Sequence, residues 1–129
     1  MEHRTQIKVY YEDTDSLGIV YYANYLKYLE RGRTELVEAS GKPIQAWNRE
    51  GFMLAVYKLS ITFLKPARLG DLCEVVTSVV GSSEYRQKLR QVIELHGEVI
   101  TEAAVDLVCL DEKLALREFP PWILAPATP

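Results

Sequence analysis

The chain has 129 residues, of which 48% are hydrophobic and 26% are charged, and its formal net charge is −3. The composition is ordinary for a globular protein, and the length predicts a single domain over residues 1–129. A small negative charge gives no reason to expect nucleic acid or an anionic membrane as a partner. We find neither the apolar segment of a signal peptide nor an apolar run that could span a bilayer, so we expect a cytoplasmic protein.

The cysteines and histidines carry no signature of redox or metal chemistry. Cys73 and Cys109 fall inside strand-like apolar runs, and neither belongs to a CxxC or Cys/His cluster. We interpret both as small buried hydrophobic residues and expect no disulfide, no metal site and no cofactor. His3 lies near the terminus and His96 in a predicted turn, so both are expected at the surface. The chain has no nucleophile-elbow signature and no glycine-rich phosphate loop.

The apolar pattern predicts one long helix and five strands. Apolar residues recur at helical spacing over residues 22–39, and a glycine and a proline end that helix at residues 40–43. A short helical turn is expected at residues 44–50. The predicted strands cover residues 6–11, 58–63, 72–80, 85–95 and 99–110, and a proline-rich tail begins at residue 120.

This order of elements indicates an α+β domain in which an antiparallel sheet wraps around the long helix. The strands at residues 72–80 and 99–110 are interpreted as apolar on both faces, as in Val75-Val76 and Leu107-Val108. A single helix covers only one face of a sheet, so the other face is expected to meet a second copy of the chain. The sequence therefore predicts an obligate homo-oligomer.

Three acidic residues, Glu12, Asp13 and Asp15, precede a glycine turn and the predicted helix. Aspartates in such a place are often turn residues that accept hydrogen bonds from nearby backbone N–H groups. The helix, however, starts with large apolar residues instead of capping types, which leaves backbone donors free for a ligand. A carboxylate beside free donors suits acyl chemistry, with Asp15 as nucleophile or general base and the N–H of Tyr22 as an oxyanion donor. We interpret Asp13 as a structural partner.

A row of cations lies on the predicted fourth strand. Arg86, Lys88 and Arg90 occupy alternating positions and therefore share one face. Such a row is most often a solvated surface, but it could also bind the phosphates of a nucleotide-bearing substrate. Both interpretations stay open.

Several motifs resemble those of a known family. The acid-rich segment 10–15, followed by Gly18-Ile19-Val20-Tyr21, Ala23-Asn24-Tyr25 and residues 30–35 (Glu-Arg-Gly-Arg-Thr-Glu), closely resembles the hotdog-fold acyl-CoA thioesterases. The nearest branch is the YbgC type, beside the 4-hydroxybenzoyl-CoA thioesterases. Residues 66–71 also resemble the Pro-Ala-Arg turn of that branch, and Lys58 matches a lysine in its second strand. The likeness extends from about residue 7 to residue 120.

The resemblance implies a hotdog fold, with a five-stranded antiparallel sheet wrapped around the helix, and assembly into dimers and often tetramers. It implies that Asp15 is the catalytic aspartate, that the N–H of Tyr22 polarises the thioester carbonyl, and that the pocket lies at the subunit interface. The YbgC branch usually has His where this chain has Tyr22, whereas the 4-hydroxybenzoyl-CoA enzymes have Tyr. The basic run that those enzymes use near the nucleotide is replaced here by Gly81-Ser82-Ser83. We expect substrate contacts at Gly18, Ile19, Val20, Tyr25, Val56, Lys58, Arg86, Lys88 and Arg90.

The leading hypothesis is hydrolysis of a short-chain or aromatic acyl-CoA, or of an acyl carrier protein thioester, to a free acid and a thiol. An alternative is a non-catalytic module that binds acyl-CoA or acyl carrier protein in lipid synthesis. A hydratase acting on enoyl-CoA would usually need an Asp/His pair, and neither histidine is well placed for one. The apolar, middle-sized side chains of Met53, Leu54 and Val56 admit short aliphatic or aromatic acyl groups.

Overall fold

Five strands and one long helix form the body of the chain, as the sequence predicts. The computed structural model describes residues 2–120, so most of the proline-rich tail lies outside the described residues. The helices are α1 (Tyr25–Glu38) and α2 (Ile44–Arg49). The strands are β1 (Glu2–Lys8), β2 (Met53–Phe63), β3 (Leu72–Ser82), β4 (Gln87–Leu95), β5 (Glu98–Leu110) and the two-residue β6 (Leu116–Arg117).

All strand pairs are antiparallel, and the order across the sheet is β1-β3-β4-β5-β2, with β6 paired to β5. The predicted α+β class, an antiparallel sheet around one long helix, is confirmed. The short β6 was not predicted. Because β1 and β2 are the two edges of this sheet, the side of β2 that faces away from β5 is unpaired among residues 2–120.

Helix α1 packs closely against the centre of the sheet. Most of its apolar residues are buried, with Leu29 fully inaccessible and Tyr28 1% exposed, whereas Leu26 is 43% exposed. The helix comes closest at Gly32, where a Cβ would lie 2.6 Å from Cγ1 of Val75 and 3.0 Å from the hydroxyl of Thr77. Glycine therefore sets the distance between the helix and the strands.

The other face of the sheet is more polar than the sequence analysis predicts. On β3, Glu74 and Ser78 alternate with Val76, and Val80 is 60% exposed. The guanidinium of Arg4 on β1 donates hydrogen bonds to Glu74 at 2.6 Å and to Glu94 at 3.1 Å. The interpretation of β3 as apolar on both faces is therefore only partly correct, because its outer positions mix an acid and a serine with valines. Formation of an oligomer stays a prediction.

Several predicted boundaries were wrong because side chains or turns end the elements. Strand β1 ends at Lys8, since the carboxylate of Asp13 accepts a hydrogen bond of 2.9 Å from the N–H of Tyr10 and turns the chain. Residues 22–24 form a 3₁₀ turn, and the α-helix starts only at Tyr25. Strand β2 begins at Met53 and contains a bulge between Val56 and Lys58. The predicted turn at His96-Gly97 is confirmed, with φ angles of 52° and 78°.

Candidate active site

Asp15 lies in a tight loop that closes on itself. Its N–H donates to the oxygen of Ile19 at 3.0 Å, and its own main-chain oxygen accepts the N–H of Gly18 at 3.0 Å. Oδ1 of Asp15 accepts a hydrogen bond of 2.8 Å from the N–H of Leu17. The turn needs the φ of 75° that Gly18 adopts. The second carboxylate oxygen has no hydrogen-bond donor among residues 2–120, so it is available to a ligand.

The Asp15 loop is held against the segment that follows β2. The N–H of Val20 donates to the oxygen of Ala67 at 2.9 Å, and the N–H of Leu69 donates to the oxygen of Gly18 at 3.2 Å. The hydroxyl of Tyr25 accepts the N–H of Ala67 at 3.0 Å, and burial raises the pKa of this tyrosine. Tyr25 is 3% exposed, so the structure places it in the core, as a link between α1 and this segment.

Asp13 joins the same loop to the start of the helix. Its carboxylate is buried and accepts the N–H of Tyr10. Its main-chain oxygen accepts the N–H of Tyr21 and the side-chain amide of Asn24, both at 2.9 Å. Burial and the nearby Asp13 carboxylate raise the pKa of Tyr28. This pattern is what a structural role for Asp13 requires.

Tyr22 is the first residue of the 3₁₀ turn that leads into α1. No side chain caps this turn, and the N–H of Tyr22 has no acceptor among the described residues. Tyr22 is 62% exposed, and the centre of its ring lies 4.9 Å from that of Tyr21 and 6.3 Å from that of Phe63. An unpaired donor at the start of a helix can bind a developing negative oxygen. The turn therefore offers a free backbone donor, while the ring of the same residue lies near Phe63, the last residue of β2.

A cavity of about 340 Å³ lies between the second half of α1, α2 and the first half of β2. Seven of its eleven lining residues are apolar, and three of the four polar ones come from α1. Val56, predicted to contact substrate, is among the residues that line it: Glu30, Arg33, Thr34, Val37, Ile44, Asn48, Met53, Leu54, Val56, Leu89 and Leu107.

The predicted cations lie at this same end of the sheet. Lys58 on β2 and Lys88 on β4 both face Asp106 across the strands, on the side away from α1. Arg90 is opposite Ala104, two residues further along β4. Arg86 precedes β4, contrary to the predicted strand, and its guanidinium stacks 4.5 Å from the ring centre of Tyr57. A turn between Ser83 and Arg86, closed by an N–H···O bond of 2.8 Å, delays the start of the strand.

The structure thus divides the predicted site residues into two groups within one chain. One group surrounds Asp15 and Tyr22 near the end of β2. The other lies near the start of β2 and comprises Val56, Lys58, Arg86, Lys88 and Arg90. Along α1, at 1.5 Å per residue, Arg33 lies about 12 Å from Tyr25, and Tyr22 lies one 3₁₀ turn further away. An acyl group of short or middle length cannot reach from one group to the other inside a single chain.

Sequence reasoning missed the polar residues of the cavity. Of these residues, Glu30, Arg33 and Thr34 entered it only as part of the motif at residues 30–35, and Asn48 had no role. Glu30, Arg33, Thr34 and Val37 follow an i, i+3, i+4, i+7 pattern, so they share one helix face. That spacing was the sequence signal that could have indicated a shared, partly polar face of the helix.

The other reactive groups are unsuited to chemistry at this site. Cys73 and Cys109 are buried and free, as predicted, and burial raises the pKa of the Cys73 thiol to about 11. Residues 2–120 contain no cluster of His, Cys, Asp and Glu that could hold a metal ion. Within the same span no helix is long and apolar enough to cross a membrane.

The family model and the relatives that match this chain are all thioesterases. A family model described as the thioesterase-like superfamily matches residues 9–126. The acyl-CoA thioester hydrolase YbgC of Escherichia coli O6:H1 is 35% identical over 127 residues, covering 95% of this chain and 92% of that protein. The putative acyl-CoA thioesterase YneP of Bacillus subtilis is 29% identical, covering 92% of this chain and 91% of its own length.

A solved structure agrees with these sequence matches. The probable thioesterase from Bartonella henselae has a TM-score of 0.89 and 29% identity, and covers 93% of this chain and 100% of its own. The predicted resemblance to the hotdog-fold thioesterases is thereby confirmed. The chain belongs to the thioesterase-like superfamily and is a thioester hydrolase.

Proposed function

We propose that the chain hydrolyses acyl-CoA thioesters, with Asp15 as nucleophile or general base and the N–H of Tyr22 as an oxyanion donor. The observation that carries this proposal is the unpaired N–H of Tyr22 beside the loop that orients Asp15. A donor of this kind is typically worth about 2.7–4 kcal/mol of transition-state stabilisation. The YbgC relative, named an acyl-CoA thioester hydrolase, supports the substrate class.

Two reaction courses fit these residues. In the first, a carboxylate oxygen of Asp15 attacks the thioester carbon, the C–S bond breaks, and the thiolate takes up a proton as it leaves; water then cleaves the mixed anhydride. In the second, Asp15 takes a proton from a water molecule that attacks the same carbon, the C–S bond then breaks, and the thiolate takes up a proton as it leaves. In both, the N–H of Tyr22 binds the carbonyl oxygen as its negative charge develops.

We infer that a complete site needs two chains. Strand β2 is an edge of the sheet, and it exposes apolar side chains: Val56, Tyr57 and Phe63 are each more than 40% exposed. If two copies pair antiparallel along β2, the start of one strand lies beside the end of the other. Tyr22 of the partner subunit would then approach the cavity at Val56. The homodimer would thus join the two groups of site residues that a single chain keeps apart.

The same pairing gives the cations a role. Lys58, Arg86, Lys88 and Arg90 lie at the cavity's end of the sheet, on or beside its outer face. We propose that they bind the phosphates of CoA, because guanidinium and ammonium groups make charge-assisted bonds to phosphate oxygens. Gly18, Ile19 and Val20 would form the wall next to the thioester, and Val56 the mouth of the acyl cavity.

The direct test replaces the carboxylate of Asp15. Asp15→Asn keeps an oxygen that can accept the N–H of Leu17, so the loop should persist while thiol release falls roughly 100-fold or more. Glu12→Gln, an exposed acid of the same segment, is the matched control and should keep its activity. Near wild-type turnover in Asp15→Asn would refute the assignment. Single turnover in oxygen-labelled water would separate the courses, since label enters Asp15 only if it is the nucleophile.

A non-catalytic binding module makes the opposite prediction. It would bind acyl-CoA or an acyl carrier protein thioester tightly and release no thiol. The assay should therefore use a panel that includes short aliphatic, aromatic and carrier-protein thioesters.

A further inference from the structure

Arg33 lines the acyl cavity as a cation without a carboxylate partner. It forms no ion pair with any residue from 2 to 120. Its Nη1 donates a hydrogen bond of 3.0 Å to Oε1 of Gln91, which is fully buried. Its other guanidinium N–H groups have no acceptor among the described residues. Gln91 thus holds the side chain in place and leaves most of its donors unused.

The surroundings of Arg33 favour an anionic ligand. Burial lowers the pKa of Arg33, and the charge of Glu30 partly opposes this effect. A guanidinium nevertheless stays protonated, so Arg33 brings a half-buried positive charge to the lining of the cavity. A carboxylate matches the planar fork of its donors and offsets the lost hydration.

The rest of the lining defines what joins that carboxylate to the thioester. Leu54, Leu89 and Leu107 give an apolar floor, which suits methylene groups or a ring. We propose that the cavity takes an acyl group with an apolar body and a terminal carboxylate, the monothioester of a dicarboxylic acid, and that Arg33 binds this carboxylate. The proposal rests on the proposed thioesterase function and names its substrate class.

Glu30 should oppose the binding of a substrate carboxylate that Arg33 favours. It lies on the same helix face one turn before Arg33, is exposed, and also lines the cavity. Water can solvate Glu30 when the cavity is empty, but its charge repels an incoming carboxylate. Removing that charge should therefore favour the same substrates that loss of Arg33 disfavours.

The test compares substrates of equal length within each protein. Thiol release is measured with hexanoyl-CoA and adipoyl-CoA, and with 4-hydroxybenzoyl-CoA to represent an uncharged polar end. For each protein the result is the ratio of kcat/KM for adipoyl-CoA to that for hexanoyl-CoA. A ratio within one preparation is independent of the fraction of folded enzyme, so a destabilised variant still gives an answer.

We expect the wild type to prefer adipoyl-CoA and Arg33→Met to lower the ratio roughly 10- to 100-fold, as loss of a charged hydrogen bond implies. Glu30→Gln should raise it. Arg31→Met removes a cation of the same helix that does not line the cavity, and should leave it unchanged. A wild type that prefers hexanoyl-CoA or 4-hydroxybenzoyl-CoA, or an Arg33→Met ratio equal to the wild type's, would overturn the proposal while thioesterase activity stands. Absence of activity with every thioester would instead overturn the proposed function.

Discussion

The side-chain amide of Gln91, on β4, donates a hydrogen bond of 2.9 Å to the main-chain oxygen of Leu29, on α1. The same nitrogen donates to the hydroxyl of Thr77 at 2.9 Å, and the amide oxygen accepts from Arg33. Gln91 and Thr77 are fully buried, where an unpaired polar group would be costly. Together with the close approach at Gly32, this network fixes the position of α1 on the sheet, and with it the relation between Tyr22 and the cavity.

Gly32→Ala should destabilise the protein. In an exposed helix the same change is favourable by up to about 1 kcal/mol. Here the new methyl group would lie 2.6 Å from Val75, so we expect a loss of about 1–3 kcal/mol in the free energy of unfolding. Urea denaturation followed by circular dichroism measures it, with the exposed Lys27→Ala as a control near zero. A more stable Gly32→Ala would contradict the tight packing.

The sequence alone predicted the sheet and the helix because buried side chains recur at regular spacing in both. Leu89, Gln91 and Ile93 alternate on β4, and all three are almost fully buried. The ends of elements depend instead on single contacts, such as the Asp13 carboxylate that ends β1. Strand β6 pairs only two residues, which is too short for a periodic pattern to be recognised.

The candidate site also has one part that the sequence predicts and one part that it does not. Asp15 and Tyr22 are close in sequence, so one local motif contained both the acid and the free donor. The cavity joins Arg33, Asn48 and Leu89, which are distant in sequence and meet only after the helices pack on the sheet. The helical spacing of residues 30–37 places Arg33 on one face of α1, but no local pattern records which residues of α2 and the sheet that face meets.

Stability should fall at high pH because of Cys73. Burial first, and the charge of Asp71 second, raise the pKa of this thiol to about 11 from its usual 9.0. As the pH rises from 9 to 11, the unfolded chain loses the thiol proton before the folded chain does, which favours unfolding by an amount on the order of 2 kcal/mol. Urea denaturation at several pH values should show a steeper loss in the wild type than in Cys73→Ala. Parallel pH curves for the two proteins would rule out this contribution.

The proposed oxyanion donor is the main-chain N–H of Tyr22, so a proline there gives a sharp test. Tyr22→Pro removes both the N–H and the side chain, whereas Tyr22→Ala removes the side chain alone. Proline is tolerated at the first position of a helical turn, and the preceding Tyr21 has φ −64° and ψ 129°, which suits a residue before proline. We expect kcat of Tyr22→Pro to be roughly 100- to 1000-fold below that of Tyr22→Ala at similar stability. Equal kcat values would show that this N–H does not bind the oxyanion.

A site shared between two chains predicts that two inactive variants restore each other. Asp15→Asn removes the acid from one group of residues, and Thr34→Trp fills the cavity that belongs to the other. In a mixed dimer one site carries both defects and the second carries neither.

Co-refolding equal amounts of the two variants should therefore recover about one quarter of the wild-type thiol release, because half of the dimers are mixed. The control combines both substitutions in one chain and refolds it with the wild type. Its mixed dimers have one defect in each site and should be inactive, so only wild-type pairs contribute. If each chain holds a complete site, the first mixture stays inactive and the control mixture keeps the full activity of its wild-type chains.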